Sequence, residues 1–316
     1  MNSNPRVSVW DLLRRLTVSW LQYPRRADKK TEVLQRISEQ FVPAYDPPGL
    51  PPVAGVGLKG ENKVVVFLNS QDHSIRQDAI EELTGTSDVS IESKYTGDFS
   101  PCLTAGDSIG FGSGGGSTGT GGTLADDIAG STFILSCNHV IAATNKGITG
   151  TSEVWSPGSA DGGTATDRVG LLYDYEPLHL DGITPNTMDA AIAQPDSGIV
   201  LSKFIPQIGA IGGTHRSPPF NHPVKKYGKK SQLTSGTLTV KNLSILVKFG
   251  GQSALFVDQY GIIGAYPPFA EDGDSGSLVV DDNNDAIGLI FAISGTGEFV
   301  IVNPIDPILS RFGLCF

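Results

Sequence analysis

The sequence predicts a mostly β protein whose body has two halves of similar size and is preceded by a small α+β region. Short runs rich in Val, Ile and Leu, separated by Gly, Asn and Asp, dominate after residue 100 and favour strands. Helical periodicity is concentrated in residues 1–42. The 316 residues include 39 Gly and 20 Pro, which favours turns, while 39% hydrophobic residues are enough for more than one core.

Charge and cysteine content exclude several classes of protein. The formal net charge is −10 and the sequence pI is about 4.9, which disfavours a general nucleic-acid binder because such a protein needs a basic surface. Cys102, Cys137 and Cys315 are too few and too widely spaced for a disulfide framework. No apolar run is long enough to cross a membrane, and residues 1–16 lack the pattern of a secretory signal. We therefore expect a reduced, cytoplasmic protein with no nucleic-acid or membrane partner.

Residues 1–42 carry the strongest helical signal. One helix is predicted to end at Pro24, and a second is predicted from Asp28 to Phe41. Their apolar faces allow two interpretations, which are packing on the body of the protein or docking of a partner beside the basic residues 25–30. The Pro-rich residues 43–52 are predicted to form a linker.

A small α+β unit is predicted to follow the linker and to end near Asp98. Two of its strands flank a turn at Lys59–Asn62, an arrangement typical of a hairpin. The stretch "RQDAIEEL" is predicted to be a short helix and "DVSIESKY" a strand.

The body begins with a Gly-rich segment from Gly106. This segment has no Gly-Lys-Ser/Thr and no helical pattern after it, so it is not a phosphate-binding loop, and its glycines permit sharp turns. The stretches that follow read as strands, in order "GSTFILSCNHVIA", "DRVGLLYDYEPL", "NTMDAAIAQ", "GTLTVKNLSILVKF", "ALFVDQYGII", "GSLVVDDNNDAIGLIFAI" and "GEFVIVNPI". A terminal helix is predicted at "DPILSRFGL".

The predicted domain organisation follows from these changes of pattern. Residues 1–100 are expected to be a regulatory or docking region, and residues 101–316 the main domain. Within the main domain, one β-rich half is expected at about 101–200 and the other at about 201–316.

Ser275 is the candidate nucleophile, at the centre of Gly273-Asp274-Ser275-Gly276. To act as a nucleophile, a serine needs a base that takes its proton and hydrogen-bond donors that hold the oxyanion. Without these groups, Ser275 would be an ordinary serine in a tight turn. The stretch differs from the elbow of α/β-hydrolases because position 277 is Ser and a strand, rather than a helix, follows. Ser275 is therefore expected on a loop between β elements.

His139 and Asp189 are the candidate base and orienting carboxylate. His139 lies where the apolar strand of "LSCNHVIA" ends in a turn, a position from which a scaffold presents a side chain into a cleft, whereas the other four histidines lie in polar loops. Asp189 directly precedes an apolar run, although taken alone it is better explained as a strand-initiating aspartate. A carboxylate beside the histidine would fix the imidazole tautomer and stabilise the imidazolium.

The chain order His139, Asp189, Ser275 is the order found on the double β-barrel of chymotrypsin-like proteases. The two predicted β-rich halves are what that scaffold requires. The first half would provide the histidine and the aspartate, the second half the serine, and the cleft would lie between them.

Several motifs in residues 101–316 resemble a trypsin/chymotrypsin-like serine protease domain. The resemblance is carried by "GDSGS" for the nucleophile loop, "SCNHVIA" for the histidine turn and "MDAAIA" for the aspartate strand. The sequence is most similar to a group of cysteine-poor bacterial trypsin-like proteins related to plant NARROW LEAF 1. The matching stretches, in order, are "GVGLKGENKVVVF", "GDSIGFGSGGGSTGTGGTL", "LSCNHV", "SPGSADGG", "DAAIA" and "GDSGSLV".

The resemblance implies a serine endopeptidase that forms an acyl-enzyme on protein or peptide substrates and needs no cofactor or metal. It implies that Ser275 is the nucleophile, His139 the general base and then acid, and Asp189 the orienting carboxylate. The backbone N–H groups of Gly273 and Ser275 would form the oxyanion hole.

Three positions of the sequence lead to further expectations when it is compared with this family. Val140 stands where secreted relatives have a disulfide cysteine, which agrees with a reducing compartment. A buried Asp274 needs a partner, for which we expect an internal Lys or Arg, a hydrogen-bond network or an ordering partner. Phe269 occupies the position of the specificity-pocket floor, with one wall at Gly288–Ser294, so we expect a small or shallow apolar pocket without preference for Arg or Lys.

Two polar stretches have simpler interpretations. Asp281–Asp285 is expected to be a hairpin turn rather than a calcium site, and Lys225–Lys230 a solvated turn rather than a nucleic-acid site. Two alternative functions stay open beside the endopeptidase: a protease-fold binding or scaffold protein, and an esterase that uses the same three residues.

Overall fold

The computed structural model describes residues 53–59, 63–68, 90–95, 99–101, 106–112, 118–197, 199, 202–264 and 268–316. The helices predicted within residues 1–42, the predicted linker and the predicted helix "RQDAIEEL" lie outside the described residues. None of the helices in the described part of the chain has the length and apolar character needed to span a membrane.

Most of the regular secondary structure in the described residues is β-strand. The first eleven are β1 (Val53–Leu58), β2 (Lys63–Leu68), β3 (Ser90–Tyr95), β4 (Phe99–Pro101), β5 (Ser108–Phe111), β6 (Thr118–Thr120), β7 (Thr123–Asp127), β8 (Thr132–Ser136), β9 (Glu153–Trp155), β10 (Arg168–Tyr175) and β11 (Asp181–Asn186). The others are β12 (Ala191–Pro195), β13 (Phe204–Ile205), β14 (Gly209–Ala210), β15 (Gly213–Thr214), β16 (His222–Gly228), β17 (Gln232–Phe249), β18 (Gln252–Gly264), β19 (Leu278–Val280), β20 (Asp285–Ser294), β21 (Phe299–Pro304) and β22 (Leu314–Cys315). Helix α1 is a single turn, Asn138–Ile141, and helix α2, Ile305–Phe312, is the predicted terminal helix.

The first barrel-like sheet contains eight strands in the order β22-β7-β8-β12-β10-β9-β5-β6. Its interior is apolar because alternate residues of each strand point inward; Leu135, Val154 and Leu172 are completely buried. Strands β8 and β12 are antiparallel neighbours, and Ala191 pairs with Ser136. The end of β8 therefore lies beside the beginning of β12.

The second sheet closes on itself. Strands β16, β17, β18, β21, β20 and β19 form a ring in which each strand pairs with two neighbours, β19 with β16 through Lys226 and Val279. Closure leaves no unpaired edge within the ring, and the enclosed apolar side chains form a second core. The predicted mostly β architecture, with two barrel-like sheets, is confirmed.

The predicted hairpin before the main domain is confirmed, and it joins the second sheet. Strands β1 and β2 pair antiparallel with Leu58 opposite Val64, and β3 lies parallel to β2. On its other edge β1 pairs with β17, with Gly55 opposite Ile245. The predicted division of the chain near residues 100 and 200 stays a prediction.

The prediction of a solvated turn at Lys225–Lys230 is wrong for its first half. Residues Lys225 to Gly228 belong to β16, and the side chain of Lys226 is completely buried. The alternation of a strand sends every second side chain to the inner face, whatever its polarity. The predicted turn at Asp281–Asp285 is confirmed as the connection between β19 and β20.

Candidate active site

His139 lies in α1, directly after β8, and its side chain is 1% exposed. Its backbone N–H donates to Asp189 Oδ1 over 3.1 Å, and its ring Nδ1 is hydrogen-bonded to Asp189 Oδ2. The ring of Phe249 meets the imidazole edge-on, with 5.7 Å between the ring centroids. Because Nδ1 is committed to the carboxylate, proton exchange with a nucleophile must use Nε2.

Asp189 immediately precedes β12 and is completely buried. The pairing of β8 with β12 brings it to His139 although 50 positions separate them in the chain. Asn303, on β21 of the second barrel, holds the Asp189 backbone: its Oδ1 accepts from the Asp189 N–H over 3.0 Å, and its Nδ2 donates to the Asp189 carbonyl over 3.1 Å. The orienting carboxylate is thus fixed from both barrels.

Ser275 lies on the loop before β19 and is also completely buried. The loop needs glycine on both sides of Asp274-Ser275, since Gly273 and Gly276 have φ values of 126° and 91°. The Ser275 hydroxyl donates to the Phe291 carbonyl over 3.2 Å. Among the hydrogen bonds of the described residues, none joins the Ser275 hydroxyl to the His139 ring.

Contacts to shared backbone groups bring the histidine turn and the nucleophile loop together. The Cys137 thiol, two residues before His139, donates to the Ile290 carbonyl over 3.2 Å. The N–H of Gly276, one residue after Ser275, donates to the same carbonyl over 2.7 Å. From the first sheet, the Thr120 N–H donates to the Ser275 carbonyl over 2.6 Å. The three predicted site residues therefore lie where the two barrels meet.

Two backbone N–H groups of the nucleophile loop donate no hydrogen bond to any described residue. The N–H groups of Asp274, Gly276 and Ser277 donate to carbonyl oxygens. In the described part of the chain, those of Gly273 and Ser275 have no hydrogen-bond acceptor. These are the two groups predicted to form an oxyanion hole, and donors kept unpaired in a buried loop are what such a hole requires.

Asp274 has the internal cation that was expected. The Lys226 Nζ lies 3.2 Å from Asp274 Oδ2, and both side chains are completely buried. The Ser231 hydroxyl and the backbone N–H groups of Glu271 and Lys230 also donate to this carboxylate, the N–H groups over 3.0 Å. A buried charge is tolerated when it is paired and its oxygens are saturated in this way.

Phe269, at the predicted pocket floor, is completely buried inside the second barrel. Its ring fills the space left by Gly236, where a Cβ would lie 2.9 Å from the Phe269 ring. Its carbonyl accepts from the Thr234 hydroxyl over 2.6 Å. The phenyl ring therefore belongs to the core of the second barrel.

A cavity of about 520 Å³ lies next to the nucleophile loop. Glu271 and Asp272 border one side of it, and Ile293 and Ser294, from the predicted wall, border the other. Both carboxylate residues are exposed. The cavity thus combines an apolar strand wall with an acidic, solvated rim.

Cys137, His139 and Asp189 also have ligand atoms within 4.8 Å of one another. Each of these groups is engaged in a hydrogen bond, the thiol to Ile290 and the histidine to the aspartate. These hydrogen bonds account for the burial of the three polar side chains without a bound ion.

Sequence reasoning missed Lys226 and Asn303. Lys226 was assigned to a basic turn, although a strand period of two through "HPVKKYG" would have marked it as inward-facing. Asn303 has no sequence signal beyond an amide within an apolar strand, "FVIVNP".

No protein-family model and no curated protein matches the chain. Among solved structures, Thermobifida fusca Protease A is similar, with 20% identity, a TM-score of 0.45 and coverage of 67% of this chain and 97% of that one. Nocardiopsis Protease has 18% identity, a TM-score of 0.46 and coverage of 68% and 97%. A glutamic acid specific serine protease, described as using a histidine triad in substrate binding, has 20% identity, a TM-score of 0.47 and coverage of 67% and 98%.

Proposed function

We propose that the protein is a serine endopeptidase that cleaves a limited set of protein targets through an acyl-enzyme. The observation that supports this best is the buried contact of His139 with Asp189 at the loop that carries Ser275. The histidine is held by its main chain and its ring to one carboxylate, the arrangement that a general base requires.

In the proposed mechanism, Ser275 Oγ leaves the Phe291 carbonyl and turns toward Nε2 of His139. Nε2 takes the hydroxyl proton as Oγ bonds to the scissile carbonyl carbon, and Asp189 stabilises the imidazolium through Nδ1. The N–H groups of Gly273 and Ser275 hold the oxyanion. The imidazolium then gives its proton to the leaving amine, and a water molecule activated by His139 hydrolyses the acyl-enzyme.

The internal pair of Lys226 and Asp274 supports activity of the intact chain, without activation by proteolytic cleavage near residue 100. Lys226 supplies the charge that Asp274 needs, so the nucleophile loop keeps its conformation within the intact chain. The proposed peptidase would then be controlled by access to the site rather than by assembly of the loop.

We propose a preference for small apolar residues on the acyl side of the cleaved bond. The Phe269 side chain is completely buried, so no charged group stands at the predicted pocket floor, and Ile293 adds an apolar side chain to the lining of the cavity. Glu271 and Asp272 are exposed, so solvent screens their attraction for a basic side chain. A strong preference for Arg or Lys in a peptide library would instead assign the specificity to these two carboxylates.

The proposed setting is the bacterial cytoplasm, with protein or peptide substrates and a relationship to the proteins that resemble NARROW LEAF 1. The motif order and the sparse cysteines support it. Residues 1–42 would provide the docking surface that restricts the choice of targets.

Cleavage profiling tests the function. A denatured peptide library and a whole-cell lysate are each incubated with the wild type and with Ser275→Ala, and new peptide termini are identified by mass spectrometry. We expect new termini with the wild type alone. Equal sets of termini from the two proteins would contradict the proposal.

A binding protein built on the protease fold is the second candidate. It is favoured by the complete burial of Ser275 and by its hydrogen bond to the Phe291 carbonyl instead of to His139. This candidate predicts specific capture of a protein that is released intact and is captured equally well by Ser275→Ala.

A further inference from the structure

A second cluster of metal-ligating side chains lies outside the cleft. His215 follows β15, His222 begins β16, and Asp281 begins the turn after β19. One ligand atom from each lies within 4.8 Å of the other two. The two imidazole rings stand edge to face, with 4.8 Å between their centroids and 83° between their planes.

Asp281 is oriented as a ligand. Its Oδ1 accepts from the backbone N–H groups of Asn283 and Asp285, over 2.8 and 3.0 Å, and its Oδ2 is directed at the histidines. Outer hydrogen bonds of this type fix a metal-binding carboxylate in place.

The Nε2 of His222 is a buried polar atom for which the described residues offer no hydrogen-bond partner. It lies 3.6 Å from Asp281 Oδ2, which is too long for a hydrogen bond. The ligand atoms of a tetrahedral zinc ion are separated by roughly 3.4 Å, given bond lengths of 2.0–2.2 Å. Buried polar atoms are rarely left unsatisfied, so this spacing points to a ligand between the two atoms.

We propose that His215, His222 and Asp281 bind a zinc ion, with Nδ1 of His215, Nε2 of His222 and Oδ2 of Asp281 as ligands and water as the fourth. Zinc would replace the proton between His215 Nδ1 and Asp281 Oδ2, which are 2.9 Å apart. The donor set of two imidazoles and one carboxylate suits zinc. The ion would connect β15, β16 and the turn after β19, and so clamp one side of the second barrel.

Calorimetric titration of the metal-stripped full chain with Zn²⁺ tests the site. We expect one equivalent of zinc to bind, and we expect His215→Ala and His222→Ala each to weaken binding at least about tenfold. Co²⁺ should give the visible absorption of a tetrahedral site in the wild type and lose it in both variants. Far-ultraviolet circular dichroism checks that the variants are folded.

Two matched controls make the titration decisive. His139→Ala removes the histidine of the cleft cluster, and His179→Ala removes an exposed histidine; both should keep the zinc affinity. Absence of stoichiometric binding, binding unchanged in both His215→Ala and His222→Ala, or binding lost in His139→Ala would each overturn the proposal.

A different observation concerns the strand edge beside Ser275. Strand β4 pairs antiparallel with the end of β20, with Pro101 opposite Ala292, Ser100 opposite Ile293 and Phe99 opposite Ser294. The next residue of β20 toward its beginning is Phe291, whose carbonyl accepts from Ser275 Oγ. Since the strands are antiparallel, β4 runs toward the nucleophile.

This edge of β20 is the place where the backbone of an extended peptide would meet the proposed nucleophile. Earlier in β20, the same edge is occupied by β19, with Leu278 opposite Leu289. The nucleophile loop comes next through Gly276, and β4 follows at Ala292. An extended segment on a sheet edge makes the main-chain contacts of strand addition, the mode in which many peptides bind.

We infer that β4 occupies the substrate-backbone position of the enzyme in cis and restrains it, an inference that rests on the proposed function. A tethered segment has an effective concentration in the millimolar range, which few substrates reach. A substrate can therefore bind only to molecules in which β4 is displaced. Its apparent affinity is the intrinsic affinity multiplied by the fraction of such molecules.

Ser100→Pro tests the restraint because proline removes a backbone N–H and disfavours a place in the ladder. With a short peptide ester as substrate, we expect kcat/KM to rise about tenfold, mainly through a lower KM, which corresponds to an open fraction near 10% in the wild type. Ser100→Thr keeps the N–H and should behave as the wild type.

The outcomes separate this inference from the function itself. Ester turnover that is lost in Ser275→Ala but is equal in the wild type and Ser100→Pro would overturn the restraint and leave the peptidase in place. Turnover absent from the wild type and from Ser100→Pro would reject the peptidase and the restraint together.

Discussion

Among the described residues, histidine–aspartate contacts occur in two places whose surroundings differ. At the junction of the barrels, His139 and Asp189 are 1% and 0% exposed. At the turn after β19, His215 is 31% exposed while Asp281 is 2% exposed. The first pair lies near a serine loop in which two N–H groups donate to no described residue. The second pair lies beside another histidine, whose Nε2 has no hydrogen-bond partner among the described residues.

From this difference we infer that the role of a histidine–aspartate contact depends on the third group that lies beside it. A hydroxyl next to an imidazole that is held at Nδ1 allows proton transfer. A second imidazole, directed at the same carboxylate oxygen, offers ligands to a cation. Sequence motifs identify the first case because its serine loop has a distinctive glycine pattern, whereas the second case depends on three loops that only the fold brings together.

The largest expected effect is a loss of catalytic activity in His139→Ala that His215→Ala does not share. His139→Ala should lower kcat/KM for a peptide ester by about 10⁴–10⁶-fold, because the base is lost. His215→Ala should leave kcat/KM within about twofold in zinc-free buffer, since no described contact links His215 to the cleft. Comparable losses in the two variants would break the comparison.

Asp274 is a third buried carboxylate, and its ion pair with Lys226 is expected to contribute to stability. Lys226→Met removes the cation of Asp274 and leaves a completely buried charge, so we expect the free energy of unfolding to fall by about 3–5 kcal/mol. The measurement is urea denaturation at pH 7. The double variant Lys226→Met/Asp274→Asn should recover part of the loss because the uncompensated charge is gone; a double variant as unstable as the single one would contradict the assigned pairing.

Asn303 tests whether the cleft pair needs its support from the second barrel. Asn303→Leu leaves the Asp189 backbone groups without partners, and we expect kcat to fall about tenfold to a hundredfold as the histidine loses its position. The stability should fall by about 1–3 kcal/mol. Val302→Ala, a buried neighbour on the same strand, is the control for general destabilisation and should leave kcat nearly unchanged.

The smallest expected effect concerns an exposed carboxylate. Hydrogen bonds from Lys59, and then from Lys63, outweigh partial burial and lower the pKa of Glu92, which joins β3 to the hairpin β1–β2. Its contribution to stability is complete above the unfolded-state pKa and is lost as the pH falls through the lower folded-state value. Because the side chain is 32% exposed, we expect Glu92→Gln to cost less than about 1 kcal/mol at pH 7 and a smaller amount at pH 3. Urea denaturation at the two pH values measures both, and an equal cost at both values would contradict the ion pair.

Local pattern was sufficient to predict most strands and the turn at Asp281–Asp285, whereas the proximity of His139 to Asp189 was predicted from the order of the site residues in the chain and from the family resemblance. The apolar run in "DAAIA" and the turn after "FILS" are local signals, and the pairing of β8 with β12 aligns the ends of these strands. Pairings between distant segments were not predictable, among them β1 with β17 and β4 with β20, because a strand edge carries no mark of its partner in its side chains. Lys226 was missed because a lysine in a polar stretch is normally solvated.

The most direct test of the proposed triad is covalent labelling of the intact protein with a fluorophosphonate, followed by mass-spectrometric mapping of the modified residue. We expect one adduct on Ser275 in the wild type, none in Ser275→Ala, and labelling slowed by several orders of magnitude in His139→Ala. An unmodified Ser275 in both the wild type and Ser100→Pro, or equally fast labelling in His139→Ala, would contradict a histidine-activated nucleophile.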